Sequence, residues 1–141
     1  MMHFSTVALP LLTLLTSVLA AREPTEIRFS YLYGRPMASI NDVACSDGEN
    51  GLIAKDPSIK HLKDIWPFPR LAGAPTIGAW NSPECGKCYK LYYEDKSIVV
   101  MAVDIGGEGF VVSREVMDYF TNYNGGTVGL VKGEFEEVEC Q

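Results

Sequence analysis

The four cysteines are the residues whose types and spacing suggest chemistry most directly. Cys85 and Cys88 form a Cys-x-x-Cys pair, which could serve as a redox pair or as half of a zinc site. A redox pair usually opens a helix, but the residues after Cys88 have the composition of a strand, and no second pair of zinc ligands lies nearby. With Cys45 and Cys140 the number of cysteines is even, which in an oxidising compartment favours two structural disulfides and no metal. Three ways of pairing them remain open.

Asp104 is a candidate ligand-binding acid. It follows a strand-like apolar run and precedes a glycine-rich segment that contains Gly106 and Gly107. An acid at the end of a strand, beside glycines that let a ligand come close, is well placed to face a groove. The alternative role is to accept hydrogen bonds from loop amides, and the residues alone favour neither role.

Other polar and aromatic residues could also bind a ligand. Asp47 and Asn50 lie in a turn-rich stretch after Cys45, where turn formation is the more common role. Trp66 and Trp80 could stack on sugar rings, although the interior is the usual place for most aromatic residues. The sequence contains no Ser-His-Asp set, Walker loop, dinucleotide fingerprint or HExxH motif.

Short strands must position these residues. The predicted strands are 26–33, 76–80, 88–93, 97–103 and 127–140, the last being one strand or a pair. Residues 88–93 and 97–103 form a predicted hairpin, and 97–103, apolar on both faces, is expected in the centre of the sheet. Ser113 can cap a helix that runs to about Phe120. Residues 56–73, rich in proline and aromatic side chains, cannot be a regular helix or central strand throughout. Many short strands with one helix predict a mainly β protein with a small closed barrel.

Length and charge narrow the classes of function. The chain has 141 residues, enough for one domain, and its 12 Lys and Arg against 18 Asp and Glu give a net charge of −6. None of the basic residues falls in a dense run, whereas a nucleic-acid binder needs clustered positive charge. Nucleic acid is therefore not an expected partner.

The first 20 residues predict a secretory signal peptide. They contain no Asp, Glu, Lys or Arg, and Val18-Leu19-Ala20 offers small residues for cleavage. Cleavage after Ala20 leaves residues 21–141 as a single domain. The later apolar runs reach only six residues, at 98–103, whereas a membrane span needs about 20. We therefore expect an extracellular protein without a membrane span.

Several segments resemble the cerato-platanins, small secreted proteins of filamentous fungi. The matching segments are Val43-Ala44-Cys45-Ser46-Asp47-Gly48, Asn50-Gly51-Leu52-Ile53, Trp80-Asn81-Ser82, Cys85-Gly86-Lys87-Cys88, Ala102-Val103-Asp104, Gly109-Phe110 and Cys140. The resemblance implies a six-stranded double-ψ β-barrel related to that of expansins. It also implies disulfides Cys45–Cys85 and Cys88–Cys140. Family members bind chitin oligomers and N-acetylglucosamine, loosen cellulose without hydrolysing it, and elicit plant defence.

The resemblance also suggests a binding groove, because Asp104 matches the family's groove acid. The expected groove is lined by Tyr31, Asp47, Asn50, Asn81, Asp104, Gly106 and Gly107. In it, Asp104 and Asn81 exchange hydrogen bonds with sugar hydroxyls or acetamides, and Tyr31 stacks on a ring. Two departures reduce the expected affinity: Ile105 stands where the family usually has His, and Leu32 where it commonly has Asp.

A non-catalytic glycan-binding protein is the function we expect. Inverting glycoside hydrolysis needs two carboxyl groups about 6.5–9.5 Å apart, and the sequence assigns no partner acid to Asp104, although Asp42 or Asp47 could serve if the fold placed one opposite it. A lytic glycan enzyme that uses Asp104 is the alternative, and a thiol oxidoreductase that uses Cys85 and Cys88 is a weaker one. No cofactor is expected. The expected partners are chitin oligosaccharides or other wall glycans and plant cell-surface components, and the fungal wall is an expected location.

Overall fold

Six strands close into a barrel in the computed structural model of the protein, which describes residues 2–14 and 21–141. The strands are β1 Glu23–Phe29, β2 Leu71–Ala74, β3 Cys88–Tyr93, β4 Lys96–Ile105, β5 Phe110–Val112 and β6 Leu130–Val138. Around the barrel their order is β1-β5-β2-β4-β3-β6. The β1–β5 and β2–β4 pairs are parallel, whereas the other neighbours run antiparallel. The expected six-stranded, mainly β barrel is confirmed.

Short helical elements connect the strands. The α-helices are α1 Leu52–Lys55, α2 Arg114–Thr121 and α3 Gly125–Val128. Shorter 3-10 helices cover Tyr31–Gly34, Ile40–Asp42 and Leu62–Asp64. The predicted cap of α2 is confirmed, because Ser113 Oγ accepts a hydrogen bond from the Val116 backbone N–H at 3.3 Å. None of the helices in the described residues has the length and apolar character needed to cross a bilayer.

The leader predicted at residues 1–20 is described only at residues 2–14. These residues are exposed and have no regular secondary structure. The cleavage point predicted after Ala20 lies outside the described residues, so the boundary of the single domain at 21 stays a prediction.

The predicted hairpin is confirmed, because β3 and β4 pair antiparallel from Cys88↔Met101 to Tyr93↔Lys96. β4 also pairs with β2 on its other side. Its side chains Val100, Ala102 and Val103 are fully buried, as expected for a strand with neighbours on both sides. The carboxyl end of β4 therefore leaves the core at a fixed place.

Three expectations about secondary structure are wrong. Residues 76–80 form a turn, in which the Ile77 N–H donates to the Ala74 carbonyl at 3.1 Å, rather than a strand. The first strand ends at Phe29 because Ser30 Oγ accepts from the Leu32 N–H and caps a 3-10 helix, which competes with extension. The last strand, expected over residues 127–140, begins only at Leu130, because Gly125–Val128 form α3.

The barrel interior is built around an aromatic cluster. Tyr89, Phe110 and Phe135 come from three different strands and pack edge to face, with ring centroids 5.0 to 6.0 Å apart. Burial of a large side chain such as Phe110 contributes roughly 1.5–3 kcal/mol. This packing holds the strand ends in fixed positions, from which the loops of the candidate site project.

The two disulfides join distant parts of the chain. Cys45 is bonded to Cys85, and Cys88 is bonded to Cys140, with Cα–Cα distances of 5.5 and 5.1 Å. This is the pairing that the resemblance implies. Because Cys85 and Cys88 are each bonded to a distant cysteine, the thiol pair required by the oxidoreductase alternative is not formed.

Candidate functional site

Asp104 lies near the end of β4 and accepts three hydrogen bonds. Its Oδ1 accepts from the backbone N–H groups of Ala44 and Ile105, both at 2.9 Å. Its Oδ2 accepts from the hydroxyl of Tyr33, also at 2.9 Å. A carboxylate has about four acceptor positions, so roughly one remains for a ligand.

Tyr33 is the residue of this group that sequence reasoning missed. Its side chain is only 4% exposed. Burial raises the pKa of the Tyr33 phenol well above its ordinary value, and the negative charge of Asp104 and the hydrogen bond raise it further. The phenol therefore stays protonated and donates to Asp104 over the whole physiological range. The sequence shows only an aromatic residue at the end of the predicted strand 26–33, which does not distinguish Tyr33 from the exposed Tyr31.

The contact between Asp104 and Ala44 connects β4 to the loop after Cys45. The next residue continues this connection, because the Cys45 N–H donates to the Val103 carbonyl at 3.0 Å. The loop then folds back on itself, with the Leu52 N–H donating to the Cys45 carbonyl at 3.1 Å. Of the two roles considered for Asp104, the structure shows that it accepts hydrogen bonds from loop amides. It does so at the base of the loop that carries Asp47 and Asn50.

Asn50 and Asn81 form a reciprocal pair. The Asn50 backbone N–H donates to Asn81 Oδ1 at 2.9 Å, and Asn50 Nδ2 donates to the Asn81 carbonyl at 3.0 Å. Asn81 has a φ of 60°, a left-handed conformation that Asn tolerates better than most residues. Among the described residues, Asn81 Nδ2 and Asn50 Oδ1 have no protein partner. One amide donor and one amide acceptor of the pair are therefore left for a ligand.

Asp47 lies in the same loop and contacts Trp80, the residue before Asn81. The indole Nε1–H of Trp80 donates to Asp47 Oδ1 at 2.7 Å. Ser46 Oγ approaches the same oxygen at 3.4 Å. The structure thus brings together Asp47, Asn50 and Asn81 and adds Trp80 to them.

The Cys45–Cys85 disulfide fixes the two halves of this group relative to each other. Asn50 lies five residues after Cys45, and Asn81 lies four residues before Cys85. Lys55 Nζ adds a further connection by donating to the Cys85 carbonyl at 3.0 Å. The polar pair is therefore held by a covalent bond as well as by its own hydrogen bonds.

Gly106 and Gly107 form the turn between β4 and β5. A Cβ at Gly106 would collide with the backbone of Gly109 and Ala74, so only glycine fits the close approach of the turn to β2. The Gly106 N–H donates to the Ala74 carbonyl at 2.9 Å. The two glycines follow Ile105, which is 46% exposed and comes directly after Asp104.

Tyr31 lies in different surroundings from the other expected groove residues. Its hydroxyl accepts from Arg114 Nη1 at 3.0 Å, and its ring packs edge to face on Phe29 with centroids 5.5 Å apart. In the described ranges, no hydrogen bond joins Tyr31 to Asp104 or to the asparagine pair. Leu32, which stands where the family commonly has Asp, packs against the core.

Two surface depressions lie elsewhere in the described part of the chain. One of about 370 Å³ is lined by Pro24, Thr25, Glu26, Glu108, Lys132 and Gly133. Another of about 300 Å³ is lined by Ala21, Glu23, Thr76, Tyr89, Phe135, Glu136 and Glu137. Neither includes Asp104 or the asparagine pair.

Comparison with known proteins agrees with this architecture. A family model described as Cerato-platanin matches residues 26–141. The curated protein named "Allergen Asp f 15", from Aspergillus fumigatus, is 41% identical over 116 residues, which cover 82% of this chain and 74% of that protein.

Solved structures extend the similarity to the three-dimensional fold. The crystal structure of cerato-platanin 1 from M. perniciosa is 36% identical, with a TM-score of 0.76, and the match covers 82% of this chain and 95% of that one. The solution structure of the fungal elicitor Cerato-Platanin is 31% identical, with a TM-score of 0.70 and coverage of 81% and 92%. The similarity therefore spans nearly the whole of each known domain.

Proposed function

The chain belongs to the cerato-platanin family, and on this premise we propose that it is a secreted, non-catalytic protein that binds chitin oligomers and N-acetylglucosamine. The observation that carries the proposal is the reciprocal pair of Asn50 and Asn81, with one free amide donor and one free amide acceptor. Expansin-like loosening of walls and elicitation of plant defence are the activities that we propose to follow from this binding.

The chemistry of an N-acetyl group complements the asparagine pair. An acetamide presents one N–H donor and one carbonyl acceptor, which match Asn50 Oδ1 and Asn81 Nδ2. The remaining acceptor position of Asp104 can serve a sugar hydroxyl. Each such hydrogen bond contributes about 0.5–1.5 kcal/mol net, because water contacts are lost in exchange. A few of them give an affinity near the millimolar range, where a free energy of about −4 kcal/mol corresponds to 1 mM.

The contacts of the acids favour binding over hydrolysis. A glycosidase must present an acid and a base with free carboxyl oxygens on opposite sides of the scissile bond. Asp104 already accepts from three donors. Of its two candidate partners, Asp47 accepts from Trp80, and Asp42 accepts from the Ser39 N–H at 3.2 Å. The carboxylates near this site thus hold protein structure together.

Secretion is proposed on two grounds. The leader predicted at residues 1–20 directs export, and two long-range disulfides are typical of proteins that function in oxidising compartments. The fungal wall and plant cell-surface components are then the proposed places of contact. A solved relative is described as a fungal elicitor, which supports the proposed effect on plant defence.

Titration with tetra-N-acetylchitotetraose, followed by amide NMR, tests the proposal. We expect the side-chain amide signals of Asn50 and Asn81 to shift at millimolar ligand. Asn81→Asp keeps the acceptor oxygen for the Asn50 N–H and replaces only the free donor, so it should weaken binding without unfolding the loop. Asn122→Asp is the matched control, because Asn122 also has a positive φ, of 52°, but lies at the end of α2. If no signal near Asn81 moves at millimolar ligand, the proposal is wrong.

A separate assay distinguishes the lytic alternative. Chitin and cellulose are incubated with the protein, and soluble reducing ends are measured. We expect none above the background of the Asp104→Asn variant. Release of reducing ends by the wild type, abolished in that variant, would establish the enzyme instead.

A further inference from the structure

We propose that Trp80 is the surface on which a pyranose ring of the glycan stacks, and that Asp47 positions this ring rather than binding sugar itself. The inference rests on the proposed glycan binding and assigns its apolar contact. It departs from the expectation that Tyr31 provides the stacking ring and that Asp47 is a direct ligand.

The indole of Trp80 is exposed and yet fixed. Its side chain is 58% exposed, while its Nε1–H donates to Asp47 Oδ1 at 2.7 Å. A short hydrogen bond to a carboxylate is stronger than one to a neutral acceptor. The bond therefore limits rotation of an aromatic ring that would otherwise be free in solvent, so little conformational entropy remains to be lost on binding.

The loop backbone supports the same edge of the indole. Gly48 has a φ of +84°, and a Cβ at this position would lie 2.9 Å from Trp80 Cζ2 and 2.7 Å from Asn81 Oδ1. Cζ2 is next to the ring fusion that carries Nε1, so both contacts act on one edge. Because only glycine fits here, the backbone of this turn lies directly against Trp80 and Asn81 together.

The geometry places an apolar ring beside the free amide groups. A gluco-configured pyranose carries its hydroxyls equatorially and turns axial C–H groups to its faces, which makes the faces apolar and the rim polar. Such a ring can stack on an indole while its rim reaches the donor of Asn81 and the acceptor of Asn50. The ligand class that fits is a β-linked glycan of glucose or N-acetylglucosamine.

Trp66 shows that exposure alone does not make such a surface. It is 71% exposed, and its nearest cation is the Arg70 guanidinium, 5.6 Å from the ring centroid. Within the described ranges, no side-chain hydrogen bond holds its indole. Trp66 therefore provides a natural control for the substitution of Trp80.

The test of stacking uses the single-tryptophan variant Trp66→Phe and tetra-N-acetylchitotetraose. Binding should change the fluorescence of Trp80, shift its indole N–H signal and move ring-proton signals of the sugar upfield. Trp80→Leu should weaken binding by about tenfold, the range of a favourable aromatic contact. Trp80→Phe should weaken it less, and Trp66→Leu should leave it unchanged.

The test of positioning uses two variants of Asp47. Asp47→Asn keeps an acceptor for the indole and should retain most of the affinity. Asp47→Ala should speed hydrogen exchange of the Trp80 indole, lower its fluorescence anisotropy and weaken glycan binding, all measured well below the melting temperature of the variant. If both variants lose affinity equally while the indole signals stay as in the wild type, Asp47 binds the sugar directly and the positioning role is wrong.

The outcomes separate this inference from the proposed function. If Trp80→Leu binds as tightly as the wild type while Asn81→Asp does not, the stacking role is overturned and glycan binding stands. If the wild type shows no binding at millimolar ligand, both are overturned.

Discussion

The hydroxyl of Tyr33 donates a hydrogen bond to Oδ2 of Asp104 at 2.9 Å, across 71 residues of sequence. The donor follows β1 and the acceptor lies in β4, which are not neighbours in the barrel. Asp104 in turn holds the Ala44 N–H. This chain of contacts connects the segment after the first strand to the loop that carries Asn50.

Tyr33→Phe should lower the free energy of unfolding by about 1.5–3 kcal/mol, the range for a hydrogen bond to a charged group. The ring stays in the core, so the change isolates the hydroxyl. Tyr119→Phe is the control, because its hydroxyl donates to the Ser97 carbonyl at 3.1 Å on the exposed surface. Urea unfolding measures both variants. Equal losses from the two would contradict a special role for the buried bond.

Alkaline pH should destabilise the protein through Tyr33. Its pKa is raised in the folded state by burial and by Asp104, whereas in the unfolded chain it is near 10. The stabilising contribution is therefore complete below pH 10 and falls as pH rises from 10 towards the folded pKa, by up to about 1.4 kcal/mol per pH unit. The pKa of Tyr89 is also raised, mainly by burial, so the test compares unfolding of the wild type and Tyr33→Phe between pH 9 and pH 11. The variant should show the shallower decline, and identical slopes would speak against the assignment.

Loss of the Cys45–Cys85 disulfide should abolish glycan binding and lower the free energy of unfolding. The loops closed by the two disulfides span 40 and 52 residues, so removing either costs about 4 kcal/mol in the loop-entropy account. The double variants Cys45→Ser/Cys85→Ser and Cys88→Ser/Cys140→Ser are thus matched in stability, but only the first releases Asn50 from Asn81. Thermal unfolding gives the melting temperature of each variant, and the chitin titration is then carried out well below that temperature. If the two variants bind equally well, the disulfide does not organise the site.

Ser113→Ala should destabilise the protein by about 1 kcal/mol, because it removes the cap of α2. Val116, Met117 and Phe120 of this helix pack into the core, so fraying at its first turn is transmitted to the barrel. Ser97→Ala is the control, since Ser97 contacts Tyr119 through its backbone carbonyl, and it should change the free energy of unfolding by less than about 0.5 kcal/mol. Chemical denaturation distinguishes the two, and similar small effects would show that the cap is dispensable.

The elements with local signals were predictable from the sequence. The β3–β4 hairpin and the Ser113 cap depend on neighbours within a few residues, and both were correct. The strands β2 and β5 were missed, because they are four and three residues long and pair with each other across about 40 residues, as in Ala72↔Val112. These strands are too short to show the two-residue alternation of apolar and polar side chains. They are stabilised by pairing within the closed barrel.

Sequence reasoning proposed residues for the candidate site but could not give the contacts between them. The turn-forming residues after Cys45 and the segment at Asn81 were recognised by resemblance. The role of Asp104 depends on the backbone N–H of Ala44. Because every residue except proline has this group, the residue type does not reveal the contact. The exposure of Trp80 likewise depends on how two distant loops meet, which average burial of aromatic residues cannot reveal.

The position of β6 has a consequence for the order of assembly. β6 pairs with β1 on one side and with β3 on the other, so the earliest and latest strands to be synthesised are neighbours. The ring cannot close until residue 138 has been made, and most of its pairings are distant in sequence, which slows folding. During synthesis the chain therefore remains open, with unpaired strand edges, until its final segment arrives.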